Sequence, residues 1–225
     1  MQAKNQSRNF VTRMKIMEFI SPFLKVVIER FAHIEIVDRP NILDSRGALI
    51  VCNHVGWADG FWMAYAVYPR NLHFMSKKEL FDTRFLKWVL EQAGGIPVDR
   101  KRPSPSSVKT AIELLKRGDV LLVYPAGTRT TEEVEFKRGA VTIAIRARAP
   151  IIPAVYDGPG VIKPTHLITW PRVRIIFGRP IVVPTTSNGR DAAIETFDQM
   201  QTEMRTLRTR LEGLPWPACS LPQSR

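Results

Sequence analysis

The sequence has only two cysteines, Cys52 and Cys219, among its 225 residues. A small secreted domain held together by disulfides needs more, so this chain is not a disulfide scaffold. Cys52 lies in an apolar run and Cys219 in a proline-rich stretch, which is typical of two free thiols in a reducing compartment. No histidine or cysteine has convincing metal-ligand spacing, so the sequence predicts no metal site.

Long apolar stretches are also missing. No run reaches the roughly 18 uninterrupted apolar residues that a membrane-spanning helix needs. The start, MQAKNQSRNF, lacks the apolar core and the small-residue cleavage site of a signal peptide. We therefore expect an intracellular protein that does not cross the bilayer.

The chain has fewer acidic residues than basic ones. The 21 Asp and Glu against 33 Lys and Arg leave a formal charge of +12. Such a charge favours anionic partners: nucleic acid, an anionic membrane surface or a phosphorylated substrate. The cations are scattered along the chain, and neither a nucleic-acid-binding module nor a basic recognition helix is recognisable. The sequence therefore predicts no nucleic-acid partner.

Short β-like runs alternate with amphipathic segments from residue 34 onward. This alternation predicts an α/β fold, a single layered domain whose largely parallel central sheet is flanked by helices. The predicted strands cover residues 34–37, 48–53, 71–75, 95–98, 120–124, 150–156 and 172–177. The predicted helices cover residues 58–68, 79–92, 105–117, 139–148 and 191–211.

The N-terminal segment differs from the rest of the chain. Residues 10–32 combine apolar residues at helical spacing with interspersed cations, and a proline at position 22 bends or divides the helix. Such a basic amphipathic segment lies in a membrane interface or packs on its own domain. We expect residues 1–33 to form this helical, membrane-contacting segment, residues 34–212 the main domain and residues 213–225 a loose tail.

One apolar run ends abruptly in the stretch NHVGWAD, where Asp59 follows His54 by five residues. On an ideal helix five residues turn about 500°, so the two side chains would not share a face. They meet if His54 lies in the turn after a strand and Asp59 in the first turn of the next helix. The carboxylate then orients the imidazole, whose other nitrogen can take a proton from a hydroxyl. A helix-capping aspartate beside an unremarkable histidine is the alternative.

Three further stretches bring glycine, proline or cations to strand ends. AGGIPVDRKR permits tight backbone geometry at its two glycines, and its Arg100 can bind phosphate through two hydrogen bonds. LLVYPAGTRT offers Thr128 and Arg129 as donors to an anion. APIIPAVYDG has Pro153 within an apolar run, as at a sheet edge or beside a bound ligand. Taken singly, none of these stretches is specific, and a solvated charge cluster explains the first equally well.

In their order and spacing these stretches resemble the glycerolipid acyltransferase family, whose bacterial prototype is 1-acyl-sn-glycerol-3-phosphate acyltransferase. Its Asn-His-x4-Asp, Gly-Gly-x4-Arg, Phe-Pro-Glu-Gly-Thr-Arg and Val/Ile-Pro blocks all have counterparts. The matching residues are Asn53, His54, Asp59, Gly94, Gly95, Arg100, Tyr124, Pro125, Gly127, Thr128, Arg129, Ile152 and Pro153. The stretch SKKELFDTRF resembles the family's Ala-Lys-x-Glu-Leu block and aligns Lys77 with its lysine. The resemblance covers about residues 34–180.

The resemblance implies that residues 34–212 are an acyltransferase domain. His54, oriented by Asp59, would deprotonate a hydroxyl of lysophosphatidic acid, which then attacks the thioester of acyl-CoA or acyl carrier protein. No cofactor is implied beyond this co-substrate. The residues implied in acceptor binding are Lys77, Arg100, Ala126, Gly127, Thr128 and Arg129. The protein would be peripheral, on the cytoplasmic face of the membrane, where its positive charge meets anionic lipid.

Ala126 departs from the family pattern, which has a glutamate there that is assigned to acceptor binding. Three explanations are open: an engineered, activity-impaired variant, a natural homologue with another acceptor, or a pseudoenzyme. The family-like residues at the other matched positions favour the first. The rival functions are acylation of another lysolipid, such as a lyso-ornithine lipid or a lysophospholipid, and non-catalytic lipid binding.

Overall fold

The computed structural model describes residues 26, 28–30, 32–43, 46–99, 104–124, 139–166, 170–184 and 189–215. Within these ranges seven strands form one sheet in the order β1-β7-β6-β2-β5-β3-β4. The strands are β1 (His33–Val37), β2 (Ala48–Cys52), β3 (Leu72–Lys77), β4 (Gly95–Val98), β5 (Val120–Val123), β6 (Ile151–Asp157) and β7 (Arg172–Phe177). Every predicted strand is present, because each is an apolar run between turn residues.

Helices flank the sheet. They are α1 (Pro40–Leu43), α2 (Ala58–Val67), α3 (Arg84–Gln92), α4 (Pro105–Arg117), α5 (Gly139–Ala147) and α6 (Gly189–Gly213). The helix predicted over residues 79–92 is wrong in its first part, where a 3₁₀ turn at Lys78–Phe81 ends before α3 begins. Helix α1 was not predicted, because four residues are too few to show a helical period.

The sheet is largely parallel, as the sequence predicts. Strands β6, β2, β5, β3 and β4 run in one direction. Strand β7 is antiparallel to β6, and β1 is parallel to β7, so these two run in the opposite direction. The carboxyl ends of the five parallel strands therefore lie along one side of the sheet, the carboxyl edge.

Strand β2 lies in the middle of the sheet, and all five of its residues are buried. Leu49 and Val51 belong to a core cluster with residues of α4, α5 and α6. Ile50 and Cys52 belong to a second cluster that includes residues of α2. Since alternate residues of a strand face opposite sides, β2 is apolar throughout because both of its faces are covered.

Pro153 is not at a sheet edge, which corrects one of the two expectations for this residue. It lies in β6, between β2 and β7, and pairs in register with Val51. Its carbonyl accepts a 2.7 Å hydrogen bond from the N–H of Gly178, on the β7 side. Proline has no N–H to donate to a neighbouring strand. The β6–β7 pairing begins only at the next residue, Ala154, so Pro153 interrupts no hydrogen bond of that pairing.

Most of the predicted N-terminal segment, residues 1–25, 27 and 31, lies outside the described residues, and residues 28–30 are helical. The predicted C-terminal tail is outside them from residue 216 onward. Across the part of the chain that the structure describes, no helix combines the length and the apolar character that crossing a membrane requires.

Candidate active site

Asn53 directly follows strand β2, and its side chain makes two hydrogen bonds to the backbone of the neighbouring strand β6. Its Nδ2 donates to the carbonyl of Tyr156 at 2.9 Å, and its Oδ1 accepts from the N–H of Tyr156 at 2.8 Å. The amide thus continues the β2–β6 ladder after the backbone of β2 has turned away. This fixes the next residue, His54, at the carboxyl edge.

His54 and Asp59 meet as the strand-turn-helix arrangement predicts. His54 lies in the turn after β2, and Asp59 lies in the first turn of α2. The imidazole Nδ1 is 2.7 Å from Oδ2 of the carboxylate. The side chain of His54 is 10% exposed and that of Asp59 only 2% exposed, so the imidazole opens to the surface above a buried carboxylate.

Asp59 also stabilises the turn itself, but it does not cap the helix, because the N-cap of α2 is Trp57 and no side-chain hydrogen bond caps this end. Its Oδ2 accepts from the backbone N–H groups of Val55 at 2.8 Å and Gly56 at 3.1 Å. An ionised carboxylate only accepts hydrogen bonds, so Nδ1 of His54 is the donor in their contact. The other ring nitrogen, Nε2, then carries the lone pair and can accept a proton.

Tyr124 completes the shell of Asp59 from the end of the neighbouring strand β5. Its hydroxyl donates to Oδ1 of Asp59 at 2.8 Å. Its ring stacks on the imidazole of His54, with centroids 4.1 Å apart and planes 23° from parallel. Burial, and secondarily the charge of Asp59, raise the pKa of the Tyr124 phenol well above its usual value, so the hydroxyl stays a neutral donor.

Tyr124 matches a family block in the sequence, but its contact with Asp59, 65 positions away, is not predicted. The available signal was a polar aromatic residue directly after a buried strand. Because β5 is the parallel neighbour of β2, residues that follow the two strands lie side by side at the carboxyl edge.

Cys52 lies one residue before this turn, but it is not a suitable nucleophile. Its thiol is buried, and burial, with a smaller contribution from Asp59, raises its pKa well above the usual value. A thiol of this kind stays protonated, whereas thioester chemistry at cysteine needs the thiolate. Within the described ranges, no three His, Cys, Asp or Glu side chains are grouped so that they could hold a metal ion.

The turn is packed from outside by the loop after β6. A Cβ on Gly56 would lie 1.9 Å from the carbonyl oxygen of Gly160, so a side chain does not fit there. The same carbonyl accepts a 3.2 Å hydrogen bond from the N–H of Ala58, at the start of α2. Two backbones in direct contact thus hold the turn that carries His54.

The structure describes only some of the other predicted site residues. Lys77 is the last residue of β3, exposed and at the carboxyl edge. Gly94 has a φ of +84°, which confirms the tight backbone geometry predicted for the glycine pair. Five predicted binding residues lie outside the described residues: Arg100, Ala126, Gly127, Thr128 and Arg129. That these residues bind the acceptor near His54 stays a prediction.

Comparisons with known proteins identify the family of this chain. A sequence model of the Acyltransferase family matches residues 6–157. A 1-acyl-sn-glycerol-3-phosphate acyltransferase of Bacillus subtilis is 38% identical over 164 residues, 73% of this chain and 81% of that protein. One of Streptococcus pneumoniae is 37% identical over 179 residues, 78% of this chain and 66% of that protein.

A solved structure shares the fold. The crystal structure of the 1-acyl-sn-glycerophosphate (LPA) acyltransferase of Thermotoga maritima superposes with a TM-score of 0.63 at 20% identity. The match covers 96% of this chain and 86% of the Thermotoga chain. This chain therefore belongs to the acyltransferase family of the Bacillus and Streptococcus proteins, as its resemblance in sequence predicts.

Proposed function

We propose that this protein is an O-acyltransferase that transfers a fatty acyl chain from an acyl thioester to the hydroxyl of lysophosphatidic acid, giving phosphatidic acid. The observation that carries the proposal is the 2.7 Å contact between Nδ1 of His54 and Asp59 at the carboxyl edge. It leaves the second imidazole nitrogen available as a base. The names of the Bacillus and Streptococcus relatives support this choice of substrate.

The reaction proceeds in one transfer, without an acyl-enzyme. Nε2 of His54 takes the proton of the acceptor hydroxyl while the hydroxyl oxygen attacks the thioester carbonyl. Asp59 stabilises the imidazolium that forms. The tetrahedral intermediate, whose oxyanion is held by backbone N–H groups near the site, then expels the thiolate. The thiolate takes the proton from His54, and an ester and a free thiol leave. Acyl-CoA or acyl carrier protein is the donor.

Cations hold the phosphate of the acceptor. We assign this role to Lys77, Arg100 and Arg129, with the segment Ala126–Thr128 beside the acceptor. Lys77 supports the assignment by its place, since β3 ends at the same edge as β2. Guanidinium groups suit phosphate because they can donate two parallel hydrogen bonds.

The protein works as a peripheral protein on the cytoplasmic face of the cell membrane. Its net charge of +12 favours a surface of anionic lipid. We assign membrane contact to residues 1–33, the chemistry to residues 34–212 and no function to the tail at residues 213–225.

Ala126 favours a second candidate function, because the family has a glutamate at this position. Loss of that carboxylate would impair binding of the glycerol moiety, select another lysolipid, or leave a homologue that binds lipid without turnover. The intact His54–Asp59 contact supports an enzyme over a long-decayed site.

The test is release of thiol from acyl-CoA in the presence of lysophosphatidic acid. We expect Ala126→Glu to be fast, the present chain slower, and Ala126→Glu with His54→Ala inactive. The matched control is Ala126→Glu with His166→Ala, which removes a histidine whose Nδ1 accepts from the N–H of Lys163 and should keep activity. If neither the present chain nor Ala126→Glu turns over with any lysolipid or donor, lipid binding replaces catalysis as the function.

A further inference from the structure

Large apolar side chains are exposed around the carboxyl edge. Trp57 stands at the start of α2, directly after the His54 turn. Val161 follows Gly160, whose carbonyl packs on this turn. Leu80 lies in the 3₁₀ turn that follows β3, a strand that ends at the same edge. Soluble proteins rarely leave extended apolar patches exposed unless the patch binds something.

Helix α3 adds two aromatic side chains. Phe85 is 73% exposed and Trp88 is 51% exposed, and their spacing of three places them on one face of the helix. Of the nine residues of α3, all of them described, only Gln92 is buried. An amphipathic helix usually turns its apolar stripe to the core, but α3 leaves the first part of its stripe in solvent.

Cationic side chains border these apolar residues. The exposed cations from the end of β3 to the middle of α3 are Lys77, Lys78, Arg84 and Lys87. Between Lys77 and the end of α3 these four cations are accompanied by three carboxylates, Glu79, Asp82 and Glu91, the last of which lies 4.0 Å from Lys87, so the segment keeps a small positive excess within a chain of +12. Lysine and arginine stems can lie along an apolar surface while their charged ends reach the phosphates of lipid headgroups.

We propose that these five apolar side chains form a surface, the apolar rim, that docks the protein on an anionic lipid bilayer. The members of the rim are Trp57, Leu80, Phe85, Trp88 and Val161. The inference rests on the proposed function, because a lysolipid acceptor resides in a bilayer and must travel from it to His54. Docking through the rim brings the carboxyl edge against the headgroup layer and shortens this path.

The composition of the rim suits lipid better than a second protein copy. Tryptophan and phenylalanine with lysine and arginine beside them are typical of helices that lie in the membrane interface. Trp57 directly follows the turn that carries His54, so a bilayer seated on the rim would bring its lysolipids to the site. No member of the rim belongs to residues 1–33, so the rim can be altered while the sequence of that segment stays intact.

Vesicle binding by the full-length protein tests the rim. We would measure the bound fraction on vesicles of phosphatidylcholine with and without phosphatidylglycerol, for the unaltered chain and F85S/W88S. We expect the double variant to lower the partition coefficient about tenfold or more, because two large apolar groups no longer leave water. V182S is the control, since Val182 is 82% exposed but follows Ile181, which pairs with the first residue of β6 at the opposite edge.

A second measurement follows Trp88 directly. Phospholipids with brominated chains quench tryptophans that enter the bilayer, so W88F should lower the quenched fraction of fluorescence. W62F removes a buried tryptophan in the core, which contributes only unquenched fluorescence, so the quenched fraction should rise rather than fall. The conservative variant F85L/W88F should retain vesicle binding, which separates loss of apolar surface from a general defect.

Distinct outcomes separate this inference from the proposed function. Turnover is measured with a short-chain, water-soluble lysophosphatidic acid, which needs no bilayer; F85S/W88S should match the unaltered chain there. Absence of turnover in both chains, each also carrying Ala126→Glu, would contradict the proposed function and leave the vesicle result standing. Equal vesicle binding by F85S/W88S and the unaltered chain would overturn the rim. A dimer that F85S/W88S converts to a monomer, with vesicle binding unchanged, would assign the face to a second copy instead.

Discussion

The hydroxyl of Tyr124 donates a 2.8 Å hydrogen bond to Oδ1 of Asp59, while His54 contacts Oδ2 of the same carboxylate. Two strand ends therefore hold one buried acid from opposite sides. Asp59 cannot rotate to relax one of these contacts without breaking the other. Tyr124 also covers the imidazole with its ring, so a single side chain orients both members of the pair.

Replacing Tyr124 with phenylalanine tests whether the hydroxyl orients the pair. The variant keeps the ring that stacks on His54 but leaves Oδ1 of Asp59 without this donor. Loss of one such hydrogen bond costs about 1 kcal/mol, so kcat should fall roughly fivefold with little change in KM. Steady-state thiol release measures both constants, preferably in the Ala126→Glu background. A Tyr124→Phe chain with unchanged kcat would show that the backbone donors alone hold Asp59.

The contrast between this contact and the strand pattern shows what the sequence could predict. Strand β2 was readable because both of its faces are buried, which produces an unbroken apolar run. The His54–Asp59 contact could be predicted from the sequence because the two residues are separated by a single turn. The contact of Tyr124 with Asp59 depends on which strands are neighbours, and an apolar run does not specify its neighbour.

The direction of strand β7 likewise could not be predicted from the sequence. The run that became β7 looks like the other buried strands, yet it is antiparallel to β6. The break before α3 was missed because Asp82 and Thr83 fit within an amphipathic period, although they separate a 3₁₀ turn from the helix. The exposure of Phe85 could not be read either, because the same stripe would equally suit a helix buried in the core.

The contact between Gly56 and Gly160 should be intolerant of a methyl group. Gly56→Ala places a Cβ 1.9 Å from a carbonyl oxygen, so the turn or the loop must move. We expect a loss of about 1–3 kcal/mol in the free energy of unfolding, with reduced turnover because His54 moves with the turn. Chemical denaturation measures the first effect. Gly139→Ala is the control, since no atom of the described residues lies within 4 Å of its added Cβ, and stability should not fall.

Tyr65 should make stability depend on pH in the alkaline range. Burial, with the hydrogen bond to Glu29 second, raises its pKa from 10 to about 12 in the folded protein. Between these two values the folded state keeps a proton that the unfolded chain loses. The contribution of Tyr65 to the free energy of unfolding is therefore fully present below pH 10 and is lost between pH 10 and 12. Tyr65→Phe should flatten this fall in urea titrations at several pH values.

Arg174 should contribute far more to stability than an exposed arginine in a similar ion pair. Its buried guanidinium lies 2.7 Å from Glu35 and donates to the carbonyls of Leu211, Leu214 and Pro215, which ties the end of α6 to the sheet. Arg174→Met leaves these acceptors without their donor, and we expect a loss of about 3 kcal/mol in the free energy of unfolding. Arg210→Met removes an exposed contact to Asp38 and should cost about 1 kcal/mol or less. Equal losses in denaturant titrations would mean that Arg174 carries no special role at the end of α6.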